Sequence, residues 1–103
     1  MVFTDYAGLK IEMSEQVWEE HIRVSHPELK IDDISKTLSD PDEVWISQKR
    51  EDTELYYQTK ESSISGKARY WMVAVKKLPA GNFVSTAMTK STLIGSKLIY
   101  KKS

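Results

Sequence analysis

The chain has 103 residues, with 40% hydrophobic and 29% charged side chains and a formal net charge of zero. That length supports one domain with a modest core. No apolar run approaches the length of a membrane span, and no basic-then-apolar leader opens the chain, so the expected setting is the cytoplasm. Cysteine is absent, which excludes a disulfide framework, thiolate zinc sites and cysteine nucleophiles.

The neutral total conceals an asymmetry. Residues 1–59 hold 14 Asp/Glu against 6 Lys/Arg, and residues 60–103 hold 1 against 9. Two readings fit. The C-terminal segment forms a polyanion-binding surface, or the two segments pack so that opposite charges meet.

In chain order, "DYAGLKIEM" has a turn at Ala7-Gly8 and then period-two alternation of Leu9, Ile11 and Met13. This predicts a strand, paired in a hairpin with Val2–Tyr6. Ser14 is a candidate N-cap for a helix running to about Ser25, with Trp18 and Ile22 on one face and His21 at its border. Pro27 disfavours helical geometry at His26 and ends that helix. Asp32 or Asp33 can cap a second short helix, with Ile31, Ile34 and Leu38 along one side. "SDPDE" is turn chemistry.

The rest reads as β-structure. "EVWIS" and "ELYYQT" are strands, and "KESSISGK" is a polar loop. "ARYWMVAVKKL" is apolar on both phases, as in a central strand covered on both faces. "PAGN" turns the chain back, "FVSTAMT" returns antiparallel, and "GSKLIYKK" adds an edge strand protected by lysines. Helices followed by a strand meander predict an α+β domain: two N-terminal helices packed on an antiparallel sheet of about four to five strands.

His21 and His26 are the only histidines. Five residues along an α-helix rotate the second ring by about 140° from the first, unlike the three- or four-residue spacing of a helical metal pair. No metal and no cofactor is expected. Acid–base chemistry fits better, because histidine changes protonation near neutral pH and His26 sits at a helix C-terminus that favours its cationic form. Each histidine taken alone also fits an ordinary structural role. Arg69, Lys76, Lys77, Thr86, Thr89 and Lys90 fall on the two strongest strands, where cations and hydroxyls suit phosphate. Tyr56, Tyr57, Tyr70 and Trp71 have the makings of base-stacking residues, but such residues in strands are more often core.

The segments "VWEEHIRVSHPEL", "ISKTLSDPDEVWIS", "YWMVAVKK" and "FVSTAMTK" together resemble the barnase–EndoU–colicin–RelE-like nuclease superfamily, in its small phage-associated branch. The resemblance spans roughly residues 9 to 100. It implies a curved antiparallel sheet and a metal-independent ribonuclease of toxin or phage-conflict type. RNA would be the substrate, with an antitoxin or immunity protein as partner. Carried over position by position, the matching residues are His21, His26, Glu28, Lys76 and Thr86. The histidines then act as acid and base, and Lys76 and Thr86 meet the phosphate. Glu28, Arg69, Lys77, Thr89 and Lys90 would contact RNA. The alternative is a non-catalytic module of the same fold that meets nucleic acid or a protein through a basic sheet face.

Overall fold

The computed structural model describes residues 1–60 and 70–103. The expected polar loop apart from Lys60, and Arg69, lie outside the described residues. The chain begins with the hairpin that the alternation of Leu9, Ile11 and Met13 predicts. β1 (Val2–Thr4) and β2 (Lys10–Glu12) form an antiparallel hairpin. Its turn is organised by Asp5, whose Oδ1 accepts the N–H groups of Ala7 and Leu9, both at 2.9 Å. Gly8 has φ +83°, a conformation that favours glycine.

Ser14 acts as expected at a helix start, its Oγ accepting the Val17 N–H at 3.1 Å. The chain then winds into a π-helical stretch, Val17–Ile22, which continues into a short α1 (Arg23–Ser25). The Arg23 N–H reaches back to Trp18, five residues away. His26 leaves helical geometry at φ −135°, the residue before Pro27. α2 (Ile31–Ser39) starts one residue before the expected caps. Asp33 works from inside its first turn, accepting the Lys30 N–H at 2.9 Å. Ile34 and Leu38 are fully buried beneath the helix. Each contributes about 1.5–3 kcal/mol by leaving water.

β3 (Glu43–Ile46), β4 (Thr53–Thr59), β5 (Tyr70–Leu78), β6 (Gly81–Lys90) and β7 (Lys97–Lys101) complete one sheet of seven strands in the order β1-β2-β6-β5-β4-β3-β7. The expectation of two N-terminal helices on a sheet of about four to five antiparallel strands is therefore corrected in three respects. The helical segments are short and lie between strands. Seven strands pair. The sheet is mixed, because β2 runs parallel to β6. The physical reason is that both ends of the chain find partners at the sheet margins. β1 and β2 add to one side and β7 to the other, and neither pairing is local in sequence. No helix among the described residues is long and apolar enough to cross a membrane.

Two apolar layers sandwich the sheet. Ile11, Met13, Ile22, Ile34, Leu38, Val44, Tyr56, Val73, Val75, Val84 and Ala87 form the core on the helix side. Tyr57, Met72 and Ala74 form a smaller cluster on the other side, with Trp45, Tyr70, Met88 and Leu93 against them. β5 is thus covered on both faces, with odd residues toward the helices and even residues away from them. The Tyr57 hydroxyl clasps the connection over the second layer, donating to the Ile94 carbonyl at 2.7 Å and accepting the Ile94 N–H at 3.2 Å.

Pro79 and Ala80 join β5 to β6, and Leu78 pairs with Gly81. Gly81 has φ +147°, again the region that favours glycine. Further along β6 lies a bulge. Ala74 pairs with Thr86 but Val75 with Val84, which leaves Ser85 as the extra residue. Such insertions bend a strand and re-aim its side chains, and they recur beside functional sites.

Candidate functional site

The bulge lies where the sheet margin changes character. β2 meets β6 in a single register pair, Glu12 with Phe83. Beyond it the π-helical stretch lies along β6 in place of a strand. Between them is a hollow of about 360 Å³ lined by Val17, His21, Lys76, Phe83, Val84, Ser85 and Thr86. Three of the residues singled out in the sequence, His21, Lys76 and Thr86, converge there from three elements.

Each reaches the hollow for a local reason. His21 sits on the π-helical stretch, whose extra residue per turn displaces side chains from their α-helical positions. The histidine is exposed while its neighbour Ile22 is fully buried and anchors the turn. Lys76 is an even residue of β5, so it points away from the helix-side core. The bulge at Ser85 sets Thr86 opposite Ala74, on the face that Lys76 occupies. The Ser85 hydroxyl donates to the Ala74 carbonyl at 3.3 Å, which holds the bulge in place. Among the described residues no carboxylate forms an ion pair with Lys76. An imidazole, an ammonium group and the Thr86 hydroxyl around one small hollow suit a phosphate group.

The remaining candidates lie elsewhere. His26 is half-buried, with Nδ1 3.7 Å from Oε1 of Glu28. Neither His26 nor Glu28 lines the hollow. Thr89 and Lys90 pair with Trp71 and Tyr70 at the far end of β6, about 10–13 Å along the strand from Thr86. Arg69 lies outside the described residues.

Lys77, next to Lys76, points to the opposite face and is engaged internally. Its Nζ donates to the Tyr56 hydroxyl at 2.8 Å and lies 3.8 Å from Asp5 Oδ2 and 3.5 Å from Glu54 Oε1. Tyr56 in turn donates to Asp5 Oδ2 at 2.7 Å. Burial, and then the Asp5 hydrogen bond, push the Tyr56 phenol far above its usual pKa. This group ties the first turn to the sheet. Lys102 likewise pairs with Asp40 at 2.9 Å. The charge asymmetry of the sequence is thus partly internal, C-terminal lysines meeting N-terminal acids.

Tyr56 and Tyr57 are fully buried core residues, and Tyr70 packs edge-on to Tyr57. Phe83, Ser85 and Val17 were not singled out in the sequence. The turn expected over Pro79–Asn82 is only Pro79–Ala80; the signal for Phe83 is that shorter turn, which pairs Leu78 with Gly81 and sets Phe83 directly opposite Lys76.

A larger hollow, about 600 Å³, lies between the end of α2 and β4. Its acids are used internally. Asp33 bonds Lys30, Asp40 pairs with Lys102, and Asp42 Oδ2 accepts both the N–H and the hydroxyl of Thr59 at 2.6 and 2.7 Å. The Lys60 ammonium stands 4.9 Å above the Trp71 ring.

No protein-family model matches the chain, and no curated protein or solved structure matches it either.

Proposed function

We propose that the protein is a metal-independent endoribonuclease whose site is the hollow between the π-helical stretch and β6. The observation that carries this reading is the convergence of His21, Lys76 and Thr86 on one hollow from distant parts of the chain. The resemblance of the sequence to small nucleases of the barnase and RelE type points the same way.

The chemistry needs one imidazole. His21 accepts the proton of the ribose 2′-OH as that oxygen attacks the adjacent phosphorus. Lys76 stabilises the charge of the phosphorane, while the Thr86 hydroxyl orients its oxygens. The P–O5′ bond then breaks, and the proton held by His21 passes to the departing oxygen. The products are a 2′,3′-cyclic phosphate and a 5′-hydroxyl. His26, held beside Glu28, has no part in these steps.

A second reading, a non-catalytic RNA-binding module at the same hollow, has one observation in its favour. Among the described residues, His21 is the only imidazole lining the hollow and no carboxyl group lines it, so no separate general acid of either kind stands ready. Incubation of the purified chain with mixed RNA in EDTA decides between them. Cleavage lost in His21→Ala and Lys76→Ala but kept in His26→Ala supports the nuclease. Binding without cleavage leaves the module, and neither binding nor cleavage overturns both.

A further inference from the structure

We infer that Phe83 is a base-stacking platform and that the hollow accepts single-stranded RNA with an unpaired base beside the held phosphate. This rests on the phosphate-binding reading above and adds to it the class of substrate.

Phe83 and Lys76 are direct partners across the β5–β6 ladder, so their side chains share one face. Such partners have Cβ atoms about 4.5–5.5 Å apart, within the span of one nucleotide. The ring position is prepared by the backbone. A Cβ added to Gly81 would lie 3.1 Å from Phe83 Cζ and 3.4 Å from Cε2. The missing side chain at Gly81 therefore lets the ring edge settle over the turn, while Phe83 lines the hollow.

The other aromatic candidates for stacking are committed elsewhere. Tyr56 and Tyr57 are fully buried, Tyr70 packs on Tyr57, and Trp71 lies under the Lys60 ammonium. Among the described residues lining the hollow, Phe83 is the one Phe, Tyr or Trp, and the His21 ring is taken by the phosphate. A phenyl ring offers a base its face and no hydrogen-bonding group, so it tolerates any base. A paired base in a duplex has both faces covered by its neighbours and cannot use it.

The experiment measures fluorescence anisotropy of a labelled single-stranded 2′-O-methyl RNA, which cannot be cleaved, against the wild type, Phe83→Leu, Phe83→Trp and Lys76→Ala. A hairpin duplex of the same sequence serves as competitor. Phe83→Leu keeps apolar bulk without the aromatic face and is expected to weaken single-strand binding about tenfold, while Phe83→Trp retains or strengthens it. Lys76→Ala weakens binding with Phe83 intact. Wild-type affinity in Phe83→Leu, or equal affinity of the wild type for duplex and single strand, overturns the stacking role and leaves the phosphate site standing. No binding by the wild type, or none lost in Lys76→Ala, overturns the phosphate site itself.

Discussion

The rings of Tyr6 and Tyr100 lie with centroids 4.1 Å apart and planes tilted by 30°. Tyr6 lies just after β1 and Tyr100 belongs to β7, the two margins of the seven-stranded sheet. The sheet curls until the turn after its first strand and the last strand bring these side chains together over the helix-side core. Tyr6 also packs edge-on to Tyr56 at 6.0 Å, so the contact continues into the core. Tyr100→Ala is expected to destabilise the fold by about 2–3 kcal/mol, by lost burial and a residual gap. A double-mutant cycle with Tyr6→Ala should give a coupling of about 1 kcal/mol in urea unfolding. Strict additivity would mean that the two margins do not support each other.

Lys76 and Lys77 are neighbours with opposite duties. Lys77→Met removes the cation beside buried Asp5 and half-buried Glu54, and it should cost about 3 kcal/mol of stability. Lys76→Ala should change stability by less than about 0.5 kcal/mol and lower RNA cleavage by about 10²–10³-fold. Chemical denaturation and the cleavage assay, run side by side, separate the two. Similar behaviour of both variants would contradict the assignment of their faces.

The histidines should also separate. His21→Ala is expected to reduce cleavage by about 10²–10⁴-fold, because the base and the acid of the reaction are the same ring. His26→Ala should retain cleavage within a few-fold, since its ring lies beside Glu28 outside the hollow. A large loss in His26→Ala would move the active site toward Pro27.

Burial raises the phenol pKa of Tyr56, Tyr57 and Tyr6 above the ordinary value of 10.0. The folded state therefore holds these protons more tightly than the unfolded state. Their contribution to stability is complete below pH 10 and is lost progressively as pH rises past it. Each fully retained proton costs about 1.4 kcal/mol per pH unit in that range. Ultraviolet titration should show Tyr56 ionising only as the protein unfolds, and Tyr57 and Tyr6 ionising above the ordinary phenol range. Tyr56→Phe should remove one phenolate from that late step, and an unchanged late amplitude would contradict the burial of its proton.

Gly95 is required by a close approach. A Cβ there would collide with Trp45 Cβ and lie 2.9 Å from its Cγ. Gly95→Ala must push the connection between β6 and β7 off the second apolar layer, at a cost of about 1–3 kcal/mol. Retention of wild-type stability would show that Trp45 moves freely.

Much of the local structure was legible in the sequence. Alternation marked the strands, Ser14 the helix start, and Pro27 the break at His26. Lys76, Thr86 and His21 stood out as phosphate-binding chemistry because cations, hydroxyls and imidazole are the groups that such a ligand needs. His26 and Lys77 stood out for the same reason, and residue type alone could not remove them; Glu28 entered only through the resemblance. A one-residue step along a strand reverses the face, and that single rule separates Lys76 in the hollow from Lys77 in the core.

By itself, then, the sequence determined which stretches extend, where helices start and stop, and which side chains carry chemistry, because these depend on neighbours within a few residues. Only the tertiary structure decided that β2 joins β6 in parallel, that the first turn and the last strand meet through Tyr6 and Tyr100, and that His21 reaches Lys76 rather than His26. Those outcomes depend on contacts between residues more than fifty positions apart. They are set by burial of shared apolar surface and by the bulge at Ser85, which no local pattern encodes.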